Sequence, residues 1–265
     1  MIVERAAATL AEHGVPDARV DAEWIVSHVA GVSRSQLALD GEVDDSGVWP
    51  LVQRRTLREP LAHVLGHWGF RRLTLRCDAR ALVPRPETEA VVERCVELLR
   101  GRDAPRVLDV GTGTGAIALA LADEAGARVV ATDVSEEALE LAGENAAQLG
   151  LELELVHRDV RDGLPPGPFD LVVANPPYVT ADEWETLEPE VREWEPREAL
   201  VDEGQTDAIV LAALAVLAPG AALVLEVHEE RAAAVSATLR DAGYDDVAVT
   251  RDLAGRDRIV DGRRK

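Results

Sequence analysis

The chain is poor in cysteine, poor in positive charge, and has no uninterrupted apolar stretch suited to a bilayer. Two cysteines, Cys77 and Cys95, among 265 residues exclude a disulfide scaffold, and nothing in their number points to an oxidising compartment. The opening Met1 to Leu10 carries Glu4 and Arg5 where a secretory signal needs an apolar run, so the expected location is cytoplasmic. Ala208 to Leu225 holds eighteen uncharged residues and imitates a membrane span. Pro219 and Gly220 cut it in two, which predicts a buried helix, a turn and a buried strand, and no membrane partner. Internal repeats and low-complexity tracts are also lacking.

What is present is a globular composition, 47% hydrophobic and 29% charged, sufficient for a sizeable core under a soluble surface. The formal charge of -21 is unevenly spread: residues 1–80 hold 10 basic and 11 acidic side chains, residues 81–265 hold 18 and 38. Such acidity repels phosphate backbones and argues against life on long nucleic acid. Seven arginines between Arg54 and Arg80, against Glu59 and Asp78, are the local exception. A solvated face is the ordinary reading of such a cluster; a docking surface is the functional one.

The first third reads as helices: Val3 to His13, stopped by Gly14 and Pro16; Asp21 to Val29, stopped by Gly31; and short pieces from Ser33 and over Trp49 to Leu57. Leu73, Leu75 and Cys77 alternate with polar residues and predict a strand or hairpin. From Val107 strands and helices alternate. Strands are expected at Val107–Val110, Arg128–Thr132, Leu151–Val156, Phe169–Ala174 and Ala222–Val227, then at Val247–Thr250 and Arg258–Val260. Helices are expected at Ala116–Ala125, from an N-cap at Ser135 to Leu149, at Thr206–Leu217 and at Glu229–Ala242. This order predicts an α/β fold, a mostly parallel sheet of seven strands with one antiparallel edge strand. The expected divisions are a helical domain over 1–72, a hairpin or linker over 73–86, and a sheet domain over 87–265.

Three places carry chemistry. Asp109-Val110-Gly111-Thr112-Gly113-Thr114-Gly115 lies between the first parallel strand and its helix, where glycine lets the backbone turn tightly and approach a ligand. Gly111, Gly113 and Ala116 also satisfy the dinucleotide pattern G-x-G-x-x-A, so nicotinamide or flavin binding stays open on these residues alone. Asp133, at the end of the next strand and eighteen residues past Gly115, is placed to accept from both ribose hydroxyls of a nucleoside. Asp159 and Val160 follow the third strand and would fall beside an adenine, although a plain turn residue is an equal reading of Asp159.

The third place is Asn175-Pro176-Pro177-Tyr178, after the apolar strand Leu171-Val172-Val173-Ala174. Prolines offer carbonyls and no N–H. Asn175 adds an acceptor oxygen and Tyr178 a flat wall. Such a slot suits a planar NH₂ group, as in an amide or an adenine.

Together these places resemble the S-adenosylmethionine-dependent methyltransferases with a Rossmann-like seven-stranded sheet, and the Asn-Pro-Pro-Tyr turn is similar to their amino-methylating branch. Ala81-Leu82-Val83-Pro84-Arg85-Pro86-Glu87-Thr88-Glu89 resembles the segment before the catalytic domain in the HemK-type (PrmC) peptide chain release factor glutamine N5-methyltransferases. Arg58 to Gly66 is similar to their linker, Asp21 to Leu39 to their N-terminal helices, and Arg251 to Arg258 to their C-terminal signature. The resemblance spans nearly the whole chain. It departs at Val201-Asp202-Glu203-Gly204-Gln205, where the family usually shows a glycine pair, and at Glu226-Val227-His228 in place of Glu-Ile-Gly.

The resemblance implies an enzyme with S-adenosylmethionine as cofactor, held by Asp109, Gly111, Thr112, Gly113, Thr114, Gly115, Asp133, Asp159, Val160 and Asn175. It implies catalysis by Asn175, Pro176, Pro177 and Tyr178, with Arg85 and Pro86 also touching the substrate, and no metal. The implied acceptor is the glutamine amide in the Gly-Gly-Gln loop of a peptide chain release factor, with the N-terminal domain docking it and the enzyme acting as a monomer. A small-molecule amide or amine, adenine N6 in nucleic acid, and a non-catalytic cofactor-binding scaffold are the alternatives.

Overall fold

The computed structural model describes residues 2–37 and 45–265. Leu39, the end of the segment likened to the family's N-terminal helices, lies outside them. The chain divides into two compact units, Met1–His67 with Leu187–Trp194, and Trp68–Thr186 with Glu195–Lys265.

The first unit contains α1 (Ile2–Glu12), α2 (Ala18–Ala30), α3 (Arg34–Leu37), α4 (Asp45–Thr56) and α5 (Leu61–Leu65). Ala6 and Leu10 of α1, Ala22, Ile25 and Val26 of α2, and Val48 and Val52 of α4 are fully buried, the i, i+3, i+4 faces expected of packed amphipathic helices. Gly31 ends α2 in a left-handed conformation. Buried Arg55 donates to Asp21 at 2.7 Å and to Glu190 at 2.8 Å. Arg58 grips both oxygens of the same Glu190 at 2.6 Å. Leu187–Trp194, though distant in sequence, is thereby fastened into the helical unit.

All seven arginines of the Arg54–Arg80 cluster are committed to acids in this way. Arg54 pairs with Glu59, Arg71 with Glu93 and Glu124, Arg72 with Asp123, and Arg76 and Arg80 each with Asp78 and Glu144. The acids that neutralise them come mostly from far along the chain, so the basic excess seen in sequence does not survive folding as a free positive surface.

The second unit opens with the hairpin β1 (His67–Phe70) and β2 (Leu73–Arg76), then α6 (Thr88–Leu99). Helix α6 is absent from the expected elements. It buries Val91, Val92, Cys95 and Leu99 on one face. There follow β3 (Arg106–Val110), α7 (Ala116–Ala125), β4 (Arg128–Asp133), α8 (Glu136–Leu149), β5 (Leu153–His157) and β6 (Phe169–Ala174). After one-turn helices α9 (Ala181–Trp184) and α10 (Pro189–Arg192), of which α10 belongs to the first unit, come α11 (Gln205–Val216), β7 (Leu217–Glu226), α12 (Ala232–Ala242), β8 (Asp245–Arg251) and β9 (Asp257–Arg263).

The seven strands stand in the order β5-β4-β3-β6-β7-β9-β8. Pairings from β5 through β7 are parallel. Antiparallel pairing is confined to the far edge, where β9 lies between β7 and β8. Side chains alternate between two cores: Val107, Leu171, Val173 and Val224 enter one, Leu108, Val172, Leu223 and Leu225 the other, as a sheet covered on both faces requires. The turn expected at Pro219-Gly220 is instead part of β7, at its exposed start. The order reverses between β3 and β6, the switch point where such sheets place ligands beyond their carboxyl ends. Among the described residues no helix is long and apolar enough to cross a membrane.

Candidate active site

At that switch point lies a cavity of about 460 Å³, within the range of small-molecule sites. Its loop wall is fixed mainly by backbone bonds. Gly111 and Thr112 donate N–H to the Thr132 carbonyl at 2.8 and 2.9 Å. The Gly113 N–H donates to Asp133 Oδ2 at 2.9 Å, and the Ser135 N–H to Asp133 Oδ1 at 3.0 Å. Asp133 thus sits at the loop's centre with lone pairs to spare. Burial raises its pKa, opposed by these N–H donors.

Gly111, Thr112, Gly113, Thr114, Asp133, Asp159, Val160 and Asn175 of the expected cofactor set line this cavity. Asp109 and Gly115 do not. Asp109 is buried beneath the loop and accepts from Thr112 Oγ1 at 2.7 Å. Desolvation pushes its carboxyl up to about 7. Gly115 takes φ +82°, and a Cβ there would stand 3.2 Å from Ala142 Cβ and 3.1 Å from Leu119 Cδ1. Its smallness serves the packing of α7 on α8. Asp159 is held bidentately by Arg161 and caps the following turn, and this partner lowers its pKa.

On the opposite wall stand Asn175, Pro176 and Pro177, at the end of β6, together with Arg85; Pro86 is not on it. Arg85 reaches buried Glu195 at 2.5 Å, and Glu195 also accepts the Val83 N–H at 3.1 Å. That pair moors the segment Ala81 to Arg85 against the cavity. A second cavity of about 290 Å³ adjoins at Pro176, and Tyr178 lines this one. The two departures from the family pattern fall here: Glu203 and Gln205 line the first cavity, and Asp202, Gly204, Glu226 and His228 the second. His228 stands 6.1 Å from the Tyr178 ring, centroid to centroid.

Three contributors carry no role in the sequence reading, which quotes Thr88 and Glu226 only as members of motifs. Asn145, fully buried in α8, donates to the Thr114 carbonyl at 2.9 Å and exchanges hydrogen bonds with the Arg76 backbone. Thr88 accepts from Asn175 Nδ2 at 3.4 Å, which leaves Oδ1 as that amide's remaining polar atom. Glu226 at the end of β7 is a carboxyl only 1% exposed, and burial pushes it up to about 7.

The cavity fits S-adenosylmethionine on its donor set: a carboxylate at the end of β4, a glycine loop at close approach, and apolar Val134, Ala138 and Val160 alongside. Arg80, Arg85 and Arg161 on the same walls are each paired to an acid, so they do not oppose a cationic ligand.

Comparison with known proteins agrees. Residues 91–205 match the Methyltransferase small domain family and residues 2–66 the PrmC N-terminal domain family. Among solved structures, the 16S rRNA N2 G1207 methyltransferase RsmC of T. thermophilus, in complex with AdoMet and guanosine, superposes with TM-score 0.56. It is 19% identical, over 75% of this chain and 50% of that one. A methyltransferase from Pyrococcus furiosus gives 0.55 at 19% identity, over 72% and 88%. These establish the fold.

The release factor glutamine methyltransferase of Deinococcus radiodurans is 45% identical, over 99% of this chain and 97% of its own length. That of Streptomyces coelicolor is 38% identical, over 99% and 96%. With 45% and 38% identity, each over 99% of this chain, the chain belongs to the release factor glutamine methyltransferase family.

Proposed function

We propose that this chain methylates the side-chain amide nitrogen of a glutamine, N5, in the Gly-Gly-Gln loop of a peptide chain release factor. The observation that carries this reading is the placement of the Asn175 acceptor beside Pro176, where the two cavities adjoin. Most of the expected site residues keep their roles within it. The glycine loop and Asp133 would hold the nucleoside, with Asp159 and Val160 near its base and Asp109 and Gly115 supporting the loop from behind. When bound, S-adenosylmethionine supplies an electrophilic methyl on a sulfonium sulfur.

An amide nitrogen is a poor nucleophile because its lone pair is delocalised into the carbonyl. Asn175 Oδ1 and the Pro176 carbonyl would accept its two protons, favouring a more pyramidal nitrogen aimed at the first cavity. The prolines add no donor to compete, and Tyr178 would bound the amide plane. Much of the acceleration would then come from positioning. No strong general base is required, since the proton can leave after transfer.

The helical unit would dock the release factor. We place the enzyme in the cytoplasm as a monomer without long nucleic acid, in keeping with its net charge of -21.

The test is transfer of labelled methyl from S-adenosylmethionine to purified, unmethylated release factor of the same organism, beside a factor whose Gly-Gly-Gln glutamine is alanine. Label on the first and none on the second is expected. Equal label on both would refute the assigned site, and label on neither would move the acceptor to a small molecule or a nucleic acid.

A further inference from the structure

Between the hairpin and α6 the chain runs from Ala81 to Arg85 along the first cavity, outside any helix or strand. Pro84 lacks an N–H, so no ladder of main-chain bonds ties this stretch down. It nevertheless forms a wall of the cavity fitted to S-adenosylmethionine. Its fixings come from side chains elsewhere in the same unit.

We infer that Glu195 is a positioning residue for the cofactor, latching the strap Ala81–Arg85 against the cavity and so setting how long S-adenosylmethionine stays. The Glu195 carboxylate accepts the Val83 N–H at 3.1 Å through Oε1 and the Arg85 guanidinium at 2.5 Å through Oε2. One side chain thus grips both the main chain and a side chain of the strap, 112 and 110 residues away in sequence. The Glu195 side chain is 1% exposed, so neither water nor salt competes strongly with these bonds.

The near end of the strap is held separately. Arg80 pairs with Asp78 and Glu144, and Ala81 packs with Ala138 and Leu141 of α8. Ala81 also faces the glycine loop, since a Cβ on Gly113 would lie 3.7 Å from its own. Loss of the Glu195 contacts would therefore loosen the Val83–Arg85 end while leaving the Arg80 end in place. Breaking one partner of a buried charged pair beside a ligand shows chiefly in the off-rate.

The inference needs the cofactor and does not depend on the methyl acceptor. Glu195→Gln keeps an acceptor oxygen for Val83 and removes the ion pair. It should speed S-adenosylmethionine dissociation, read by surface plasmon resonance, about tenfold, as expected for one charged hydrogen bond. Association should stay within about threefold, and kcat at saturating cofactor within about twofold. Arg85→Met should match it, and Arg85→Lys should restore most of the parent's rate. The double variant Glu195→Gln/Arg85→Met should be no faster than either single change. An unchanged off-rate in Glu195→Gln, or additive effects in the double variant, would overturn the latch.

Two further measurements separate a latch from general loosening. Asp261→Asn weakens a comparable buried pair, Arg94–Asp261 at 2.9 Å between α6 and β9, neither member of which lines the cavity. Its melting temperature should fall with cofactor dissociation unchanged; dissociation as fast as in Glu195→Gln would refute the specific role. In the protein alone, the Val83 amide should exchange its hydrogen slowly, and about tenfold or more faster in Glu195→Ala. Fast exchange at Val83 in the parent would mean that no latch holds the strap.

Discussion

The loop after β3 and the turn after β6 leave neighbouring parallel strands at the same end of the sheet, yet they are fixed by different means. The loop is held largely from close by in sequence, its Gly111 and Thr112 N–H groups by the Thr132 carbonyl and its Gly113 N–H by the Asp133 carboxylate. The turn hangs partly on side chains, through Asn175 and Thr88, which are 87 residues apart. Its backbone is tied down by Val179, which exchanges hydrogen bonds with Leu200 and Asp202. A wall made of backbone binds without needing particular side chains at most positions. A wall made of polar side chains can be aimed, and can be mis-aimed by one substitution. Binding and transfer are thereby separable in this site.

The largest expected effect tests that separation directly. Asn175→Ala removes the aimed acceptor and should lower kcat by about 10²–10³-fold, the usual cost of one preorganised group at a reacting centre. The S-adenosylmethionine dissociation constant, read by calorimetry, should stay within about twofold. Were both to move together, the two walls would be one energetic unit and the comparison would fail.

Asp133→Ala is the converse change and the next in size. Loss of a charged hydrogen bond of about 1.5–3 kcal/mol predicts a dissociation constant raised tenfold or more. Part of that rise would come from the Gly113 N–H, which the same carboxylate holds at 2.9 Å. At saturating cofactor, kcat should change little. An unchanged constant would remove Asp133 from the cofactor site.

The same contrast explains what could be read in the sequence. β6, α7 and α8 were legible to the residue, because a short apolar strand, a glycine stop or a serine cap each acts locally. So were the loop and the turn as places. Helix α6 carried a readable apolar face in Val91, Val92, Cys95 and Leu99. Its start is crowded by Pro84 and Pro86, which obscure where a helix could begin. Asn145 was not legible, because a polar residue in a helix is ordinarily exposed and only the meeting of α8 with Thr114 and Arg76 makes it a clamp. Nor was the fate of the arginines, whose partners Glu124, Glu144 and Glu190 arrive only on folding. Motif membership also misjudged reach: Asp109 and Gly115 belong to the loop's sequence but support it from beneath.

Asp109 yields the smallest expected effect and sharpens the contrast most. Its carboxyl titrates near 3.9 in an unfolded chain and at about 7 in the folded protein. Between those values the unfolded chain has released the proton that the folded one keeps. Stability is therefore greatest below pH 4, is lost as pH rises toward 7, and is level above it. Asp109→Asn retains an acceptor oxygen for Thr112 and removes the titration. Its melting temperature should match the parent's pH trend at pH 4 and exceed the parent by about 5 °C or more at pH 8. Glu226 titrates in the same window, so the difference between variant and parent is the quantity to follow. S-adenosylmethionine affinity should hardly change, since Asp109 does not line the cavity. A gap that fails to open with pH would mean that the loop rests on a buried charge rather than on its backbone, and the distinction between the two walls would lose its basis.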